Sequence, residues 1–269
     1  YISATYDPVA DKVVIAYTDF GNSGYGTTIA GTVSGDSITF GTPVVFNSNG
    51  TTAWNSANYD SVNNKVVIAY QDSGNSGYGT AIVGEVSGDS ITFGSSVAFN
   101  SSGNAPYISS TYDPVANKVI IAYKDTGNSG YGTAAVGTVS GDSISFGSPV
   151  VFNRAATEHA SSTYDTAANK VVIAYTDYGN SSYGTAVAGT VSGDSISFGT
   201  PTVFNSNGST NYSAATYDPV ASKVVVAYRD SGNSHYGTAV TYSPGVISTN
   251  LTDSNYIGVS TGDYADGAE

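Results

Sequence analysis

Residues 107–153 read YISSTYDPVANKVIIAYKDTGNSGYGTAAVGTVSGDSISFGSPVVFN. This unit alternates strand-forming stretches with turn chemistry, and the first copy in the chain shows the divisions. Strand A is Ile2 to Tyr6, ending at Asp7-Pro8. Strand B is Lys12 to Thr18, whose unbroken run Val13, Val14, Ile15, Ala16, Tyr17 predicts burial on both faces. Strand C follows the loop 19–24 and runs from Tyr25 to about Val33. Strand D follows Ser34-Gly35-Asp36, a tight hairpin signal, and spans Ile38 to Phe46. No segment carries the 3.6-residue apolar period of a helix.

The unit recurs. Tyr-Asp pairs stand at Tyr6, Tyr59, Tyr112, Tyr164 and Tyr217, at spacings of 53, 53, 52 and 53 residues. Four antiparallel strands in a repeat of this length form a β-propeller blade, so the expected fold is all-β, a five-bladed β-propeller with an irregular last blade. The expected blades are about 1–53, 54–106, 107–158, 159–211 and 212–243, with 244–269 as closing strand and tail. Strand A carries small residues at its middle (Ser3-Ala4, Ser56-Ala57, Ser109-Ser110, Ser161-Ser162, Ala214-Ala215), as crowding around an axis requires. The competing architecture is a β-solenoid, whose coils are usually shorter.

Composition narrows the function. Eight Lys and Arg against 21 Asp and Glu leave a net charge of −13, which argues against nucleic acid, since phosphate binding needs clustered cations. Only 11% of residues are charged and 40% are hydrophobic, so the chain can build a core. No run of about 18 apolar residues is present to span a membrane as a helix. The absence of Cys excludes disulfides, thiol catalysis and zinc–thiolate sites. A first residue of Tyr predicts a chain processed or excised from something longer.

The text YDPVANKVVIAYxDxGNSxYGTAxVGTVSGDSISFGxPVVFN resembles the near-identical tandem repeats of tail and surface proteins of marine bacteriophages and some aquatic bacteria. The resemblance covers residues 1 to about 243 and implies an extracellular or virion-surface location and a binding role. The architecture is also similar to five-bladed lectins of the tachylectin-2 type, without their sequence motif.

The copies serve as one another's controls. The C–D turn is nearly invariant (VSGDSI at Val33, Val86, Val139 and Val191), and the A–B turn varies little. The other rim diverges. The residue after the strand B Tyr is Thr18, Gln71, Lys124, Thr176 or Arg229, and the D–A loops read SNGTTAW, SSGNAPY, RAATEH and SNGSTNY. Divergence on one rim of a uniform ring is expected of a recognition surface, or of loops drifting without constraint.

One position on that rim keeps its character. Five residues before each Tyr-Asp stand Tyr1, Trp54, Tyr107, His159 and Tyr212. Flat rings stack on the apolar faces of sugars while polar neighbours take the hydroxyls; equally, such rings can pack between blades. The candidate ligand-binding set is these five with Gln71, Lys124 and Arg229. The loop Asp-Xaa-Gly-Asn-Ser begins at Asp19, Asp72, Asp125, Asp177 and Asp230, and resembles a relaxed Asp box of sialidases. Its Asp is expected to be structural, accepting backbone N–H bonds across a glycine-permitted turn. The remaining reading is a loop-bound Ca²⁺ or a sugar contact through Asn22 and its equivalents; no other cofactor is implied.

Catalysis finds little support. A sialidase needs three arginines on its substrate carboxylate, and the chain has two, Arg154 and Arg229. Outside the tail the glutamates are Glu85 and Glu158, not a converging set. Glu158-His159 is the one dipeptide with acid/base potential near the mouth. The expected function is therefore multivalent glycan or receptor binding, in which weak equivalent sites gain by avidity. The alternative is an assembly module of a virion fibre or extracellular filament, and a glycoside hydrolase comes last. Asn-Xaa-Ser/Thr triplets at Asn49, Asn100, Asn180, Asn207, Asn211 and Asn250 matter only after eukaryotic secretion or if the protein carries unusual glycans. Copy five lacks the GTVSGDSISFGTPVVFN segment. Either Val246–Thr249 or Tyr256–Val259 folds back as its strand D, or a neighbouring chain supplies the strand.

Overall fold

A computed structural model of the chain describes residues 1–244, 246 and 247. Apart from four three-residue 3₁₀ turns, its regular structure is antiparallel β-sheet. Repeat 1 comprises β1 (Ile2–Asp7), β2 (Lys12–Asp19), β3 (Tyr25–Ser34), β4 (Ser37–Phe40) and β5 (Val44–Asn47). The first four pair in chain order, and β5 returns to pair with β3 beside β4. The expected strand D is thus two segments on one edge, interrupted at Gly41-Thr42-Pro43. Pro43 has no N–H to give a ladder. Gly41 bends the chain so closely over repeat 2 that a Cβ there would lie 1.9 Å from the Asp89 carbonyl oxygen.

Repeat 2 repeats the pattern with β6 (Thr52–Asp60), β7 (Lys65–Asp72), β8 (Tyr78–Ser87), β9 (Ser90–Phe93) and β10 (Val97–Asn100). Repeat 3 follows with β11 (Ser109–Asp113), β12 (Lys118–Asp125), β13 (Tyr131–Ser140) and β14 (Ser143–Phe146). Then β15 (Val150–Asp165) runs unbroken from the outer edge of repeat 3 to the inner strand of repeat 4. RAATEH was expected to be a loop; it lacks the Gly-containing turn of SNG and SSG, stays extended, and joins the two repeats into one nine-stranded sheet. Repeat 4 continues with β16 (Lys170–Asp177), β17 (Tyr183–Ser192), β18 (Ser195–Phe198) and β19 (Thr202–Asn205). Repeat 5 has β20 (Thr210–Asp218), β21 (Lys223–Asp230), β22 (Tyr236–Ser243) and β23 (Val246–Ile247). β23 folds back on β22, pairing Tyr242 with Ile247 and Ser243 with Val246. Residues 248 and 249 of that expected return strand, and all of Tyr256–Val259, lie outside the described residues.

The sheets pack face to face through their inner strands in the order β1, β6, β11, β15, β20. Serine hydroxyls stitch them: Ser3 Oγ accepts from Ala57 N at 3.0 Å, Ser56 Oγ from Ser110 N at 2.9 Å, and Ser109 Oγ from Ser162 N at 2.9 Å. Small residues allow this close approach of successive inner strands. Each junction then buries an apolar layer. Between repeats 2 and 3, Val67, Ala69 and Phe99 meet Val119, Ile121 and Tyr123, all nearly inaccessible. At about 1.5–3 kcal/mol for each large side chain, these layers hold the fold.

The expectation of burial on both faces holds for the B strands β7, β12 and β16, which are covered from both sides. It fails for β2 and β21, where burial alternates. Repeats 1 and 5 each cover one face only, because no sheet of the described chain packs on the outer side of either.

Candidate functional site

The five rings singled out by the repeat come together in one row. Ring centroids lie 4.6 Å apart for Tyr1–Trp54, 4.4 Å for Trp54–Tyr107, 5.0 Å for Tyr107–His159 and 4.7 Å for His159–Tyr212. The inner strands place them through a backbone irregularity. Trp54, Tyr107, His159 and Tyr212 all have φ between 51° and 58°, a left-handed conformation uncommon for bulky residues. Strand register shifts there in β6, β15 and β20, between Ala53 and Ser56, Glu158 and Ser161, and Asn211 and Ala214. The bulge aims Trp54, His159 and Tyr212 along the row instead of across the sheet, and Tyr107, just ahead of β11, takes the same left-handed φ. Such strain persists only where surrounding structure holds it, and it clusters at functional sites.

A cleft of about 290 Å³ runs along the row, lined by Trp54, Tyr107, His159 and Tyr212. The end rings are open, Tyr1 at 53% and Tyr212 at 68% exposure. The three inner rings are half-buried, and Trp54 also packs on the core between repeats 2 and 3. The rings thus pack partly between repeats and partly face the cleft.

Polar side chains are concentrated beside Tyr107 and His159. Lys124 Nζ donates to Glu158 Oε1 at 2.8 Å, and Tyr178 Oη donates to Glu158 Oε2 at 3.0 Å. The Lys124 ammonium stands 5.8 Å from the Tyr107 ring centroid. Burial alone would push the Glu158 carboxyl up, but Lys124 and the tyrosine hydroxyls outweigh it and hold it below the usual value. Burial, helped by Glu158, pushes Tyr107 up to about 12. Burial pulls His159 below its usual value despite neighbouring Glu158, which favours a neutral imidazole at pH 7. The result is a carboxylate and an ammonium beside neutral rings, a set suited to hydrogen-bonding hydroxyls over an apolar face.

This pair occurs once. At the equivalent position Thr18 Oγ1 donates to the Thr52 carbonyl at 2.9 Å, and Thr176 Oγ1 to the Thr210 carbonyl at 2.5 Å, which closes those junctions. Gln71 lies over Gly77, and Arg229 stands on β21 opposite Asn211 in the last repeat. Sequence reasoning found Lys124 by its divergence but missed its partnership with Glu158 and Tyr178, which lie 34 and 54 residues on. The loop aspartates make the expected turn: Asp19, Asp72, Asp125, Asp177 and Asp230 each accept from the glycine N–H two residues on. They also do something the repeat did not reveal. Asp72, Asp125, Asp177 and Asp230 accept from Asn47, Asn100, Asn153 and Asn205 of the preceding repeat.

No protein-family model and no curated protein sequence matches the chain. Solved structures do. The SapL1 lectin in complex with alpha methyl fucoside superposes with a TM-score of 0.58 at 14% identity, over 92% of this chain and 78% of that one. In fold, the chain is similar to β-propeller lectins. The fungal lectin of Aleuria aurantia, described as a six-bladed β-propeller with a fucose recognition mode, gives 0.55 at 14% identity over 91% and 75%. A catalytic protein shares the architecture: the exo-beta-1,3-galactanase of Phanerochaete chrysosporium gives 0.54 at 11% identity, over 84% of this chain and 55% of that one. At these identities the likeness shows the fold, and the chemistry rests on this chain's own residues.

Proposed function

We propose that the five repeats are the blades of a β-propeller that binds carbohydrate without catalysis, at a cell or virion surface. The row of five rings flanked by Lys124 and Glu158 carries this reading. A pyranose offers an apolar C–H face to the rings and hydroxyls to the ammonium and carboxylate. The repeated rings favour multivalent contact with a glycan chain, and the single polar pair makes the junction of repeats 3 and 4 the principal subsite. Near-identical repeats oppose catalysis, which needs differentiated acid and base groups. The fold shared with fucose-binding lectins agrees with this reading.

The test is a glycan array followed by titration of the strongest hit against Trp54→Ala and Tyr107→Ala. Each lost stack is expected to cost about 1 kcal/mol, roughly fivefold in affinity. Equal affinity in both variants, with their folds intact, would reject the row as the binding surface.

A further inference from the structure

Three junctions between repeats hold a carboxylate at one fixed place. Lys12 meets Asp89 at 2.7 Å, Lys65 meets Asp142 at 2.7 Å, and Lys118 meets Asp194 at 2.8 Å. In each, the lysine opens strand B of one repeat and the aspartate sits in the C–D hairpin of the next. Thr32 Oγ1 also donates to Asp89 at 3.4 Å, and Thr138 Oγ1 to Asp194 at 2.8 Å. The hairpin backbone lies directly on a glycine: a Cβ on Gly41, Gly94 or Gly147 would stand 1.8–1.9 Å from that aspartate's carbonyl oxygen.

The junction of repeats 4 and 5 keeps the receiving half and lacks the hairpin. Lys170, Thr190 and Gly199 occupy the same three positions. Lys170 donates to Thr190 Oγ1 and meets no carboxylate among the described residues. In repeat 5, Ser243 holds the place of Thr32 but already pairs across the turn with Val246, whereas β3 runs on to pair Ser34 with Ser37. The last hairpin therefore turns two residues early. It leaves a cavity of about 1000 Å³, lined by Lys170, Thr190, Phe198, Gly199, Thr202 and Tyr242.

The missing chemistry stands further along the chain. The hairpins filling the other junctions read GEVSGD at 84–89 and GTVSGD at 137–142 and 189–194. Residues 258–263, outside the described residues, read GVSTGD, with glycine first and Gly-Asp last. The turn glycines Gly88, Gly141 and Gly193 have φ of 57–59°, which glycine adopts without strain, and Gly262 supplies the same residue. Ile247 pairs with Tyr242 in the cavity wall, so the described chain ends beside the cavity. Asp263 lies 16 residues on, ample reach at about 3.3 Å per residue.

We infer that residues 258–263 dock in this cavity as a Gly-Asp turn, with Asp263 on Lys170 and Thr190 and the turn backbone over Gly199. The carboxylate meets the one lysine of the cavity that lacks an acidic partner. The inference is independent of sugar binding, since Lys170 and Thr176, which pairs with Glu158, are at opposite ends of β16. One turn and one ion pair near the surface hold the segment, so it adds little to global stability. A Cβ at Gly199 releases the turn and leaves the sheet intact.

Chymotrypsin on the full chain tests it, read by mass spectrometry as release of residues 265–269 after cleavage at Tyr264. Tyr264 adjoins the docked turn, so the wild type is expected to be cut at least about tenfold more slowly than a free peptide of residues 256–269. Each variant is compared with a peptide of its own sequence. Lys170→Asp and Asp263→Lys should each abolish the protection through like-charge contact, and the two together should regain most of it. Gly199→Ala should also abolish it while the thermal melt stays unchanged. Asp253→Lys, the same charge change elsewhere in the tail, should leave it in place. Thermal melts confirm that every variant folds. A wild type cut as fast as the peptide overturns the inference. So does protection that survives Lys170→Asp and Asp263→Lys, which would put the segment on another surface, or a charge-swapped double variant that stays unprotected. Protection that rises with protein concentration also overturns it, since a second copy's tail would then fill the cavity.

Discussion

The Phe99 ring centroid lies 5.1 Å from that of Tyr123, across the junction of repeats 2 and 3. The same contact recurs as Phe46–Tyr70 and Phe152–Tyr175 at 5.1 Å, and as Phe204–Tyr228 at 5.2 Å. The phenylalanine comes from the outermost strand segment of one repeat and the tyrosine from strand B of the next. Phe99 is 4% exposed. Phe99→Ala should therefore destabilise the protein by about 3–5 kcal/mol, and Phe99→Leu by less, in chemical denaturation. A loss under about 1 kcal/mol would mean that the junction does not hold the repeats together.

Glycines test the close approach of neighbouring sheets. A Cβ on Gly94 would lie 1.8 Å from the Asp142 carbonyl oxygen, whereas at Gly199 its nearest neighbour is the Ala188 carbonyl oxygen at 3.7 Å. The two occupy the same repeat position, but repeat 5 has no VSGDSI segment, and no residue of its described part crowds Gly199. Gly94→Ala is expected to cost about 1–3 kcal/mol and Gly199→Ala close to nothing, read from paired thermal melts.

The loop aspartates allow a similar comparison. Asp125 Oδ1 accepts from Gly127 N at 3.1 Å, Asn100 Nδ2 at 3.4 Å and Ser102 Oγ at 2.7 Å. Asp19 in the first repeat accepts from Gly21 N. Asp125→Ala should cost about 1–3 kcal/mol and Asp19→Ala distinctly less, by denaturant midpoint. Neither change should alter sugar affinity.

Lys124 and Glu158 couple binding to stability. Their side chains are 19% and 21% exposed, so each single variant leaves a largely buried partner uncompensated and lowers the melting temperature. In protein still folded at the titration temperature, Lys124→Met and Glu158→Gln should also lower affinity for the best glycan by about tenfold or more, since hydrogen bonds to charged groups are the strong ones. Calorimetric titration measures it; affinity equal to wild type in both variants would move the subsite elsewhere on the row.

His159 introduces pH dependence. Its folded pKa is depressed by burial, so the unfolded chain binds its proton more readily. The stability it contributes is complete above the unfolded value of about 6.5 and is lost as pH falls through the folded value. His159→Phe keeps a ring in the row and removes the titration. Stability measured from pH 7 down to 5 should fall less steeply in that variant. Parallel curves would show that the imidazole titrates as it does in the unfolded chain.

Much of the fold was legible because the repeat is local. Tyr-Asp spacing, the VSGDSI hairpins and the apolar run of strand B specify which residues pair within a repeat, since antiparallel neighbours a turn apart need only short-range chemistry. The errors arose where one copy departs from the rest. RAATEH has no turn-forming glycine and became part of the 16-residue β15. The broken outer strand was invisible because its cause at Gly41 is a neighbouring repeat's backbone.

The sequence by itself determined an all-β chain of repeated antiparallel units and the five positions that carry flat rings, because periodicity and turn residues act over a few neighbours. Only the tertiary structure decided that those rings stand 4.4 to 5.0 Å apart in one row, that Lys124 reaches Glu158, and that the first and last sheets each keep an open face. These depend on how one sheet lies on the next. That packing angle and distance come from side chains some 53 residues apart meeting across a junction, and nothing in the pattern of a single repeat specifies it.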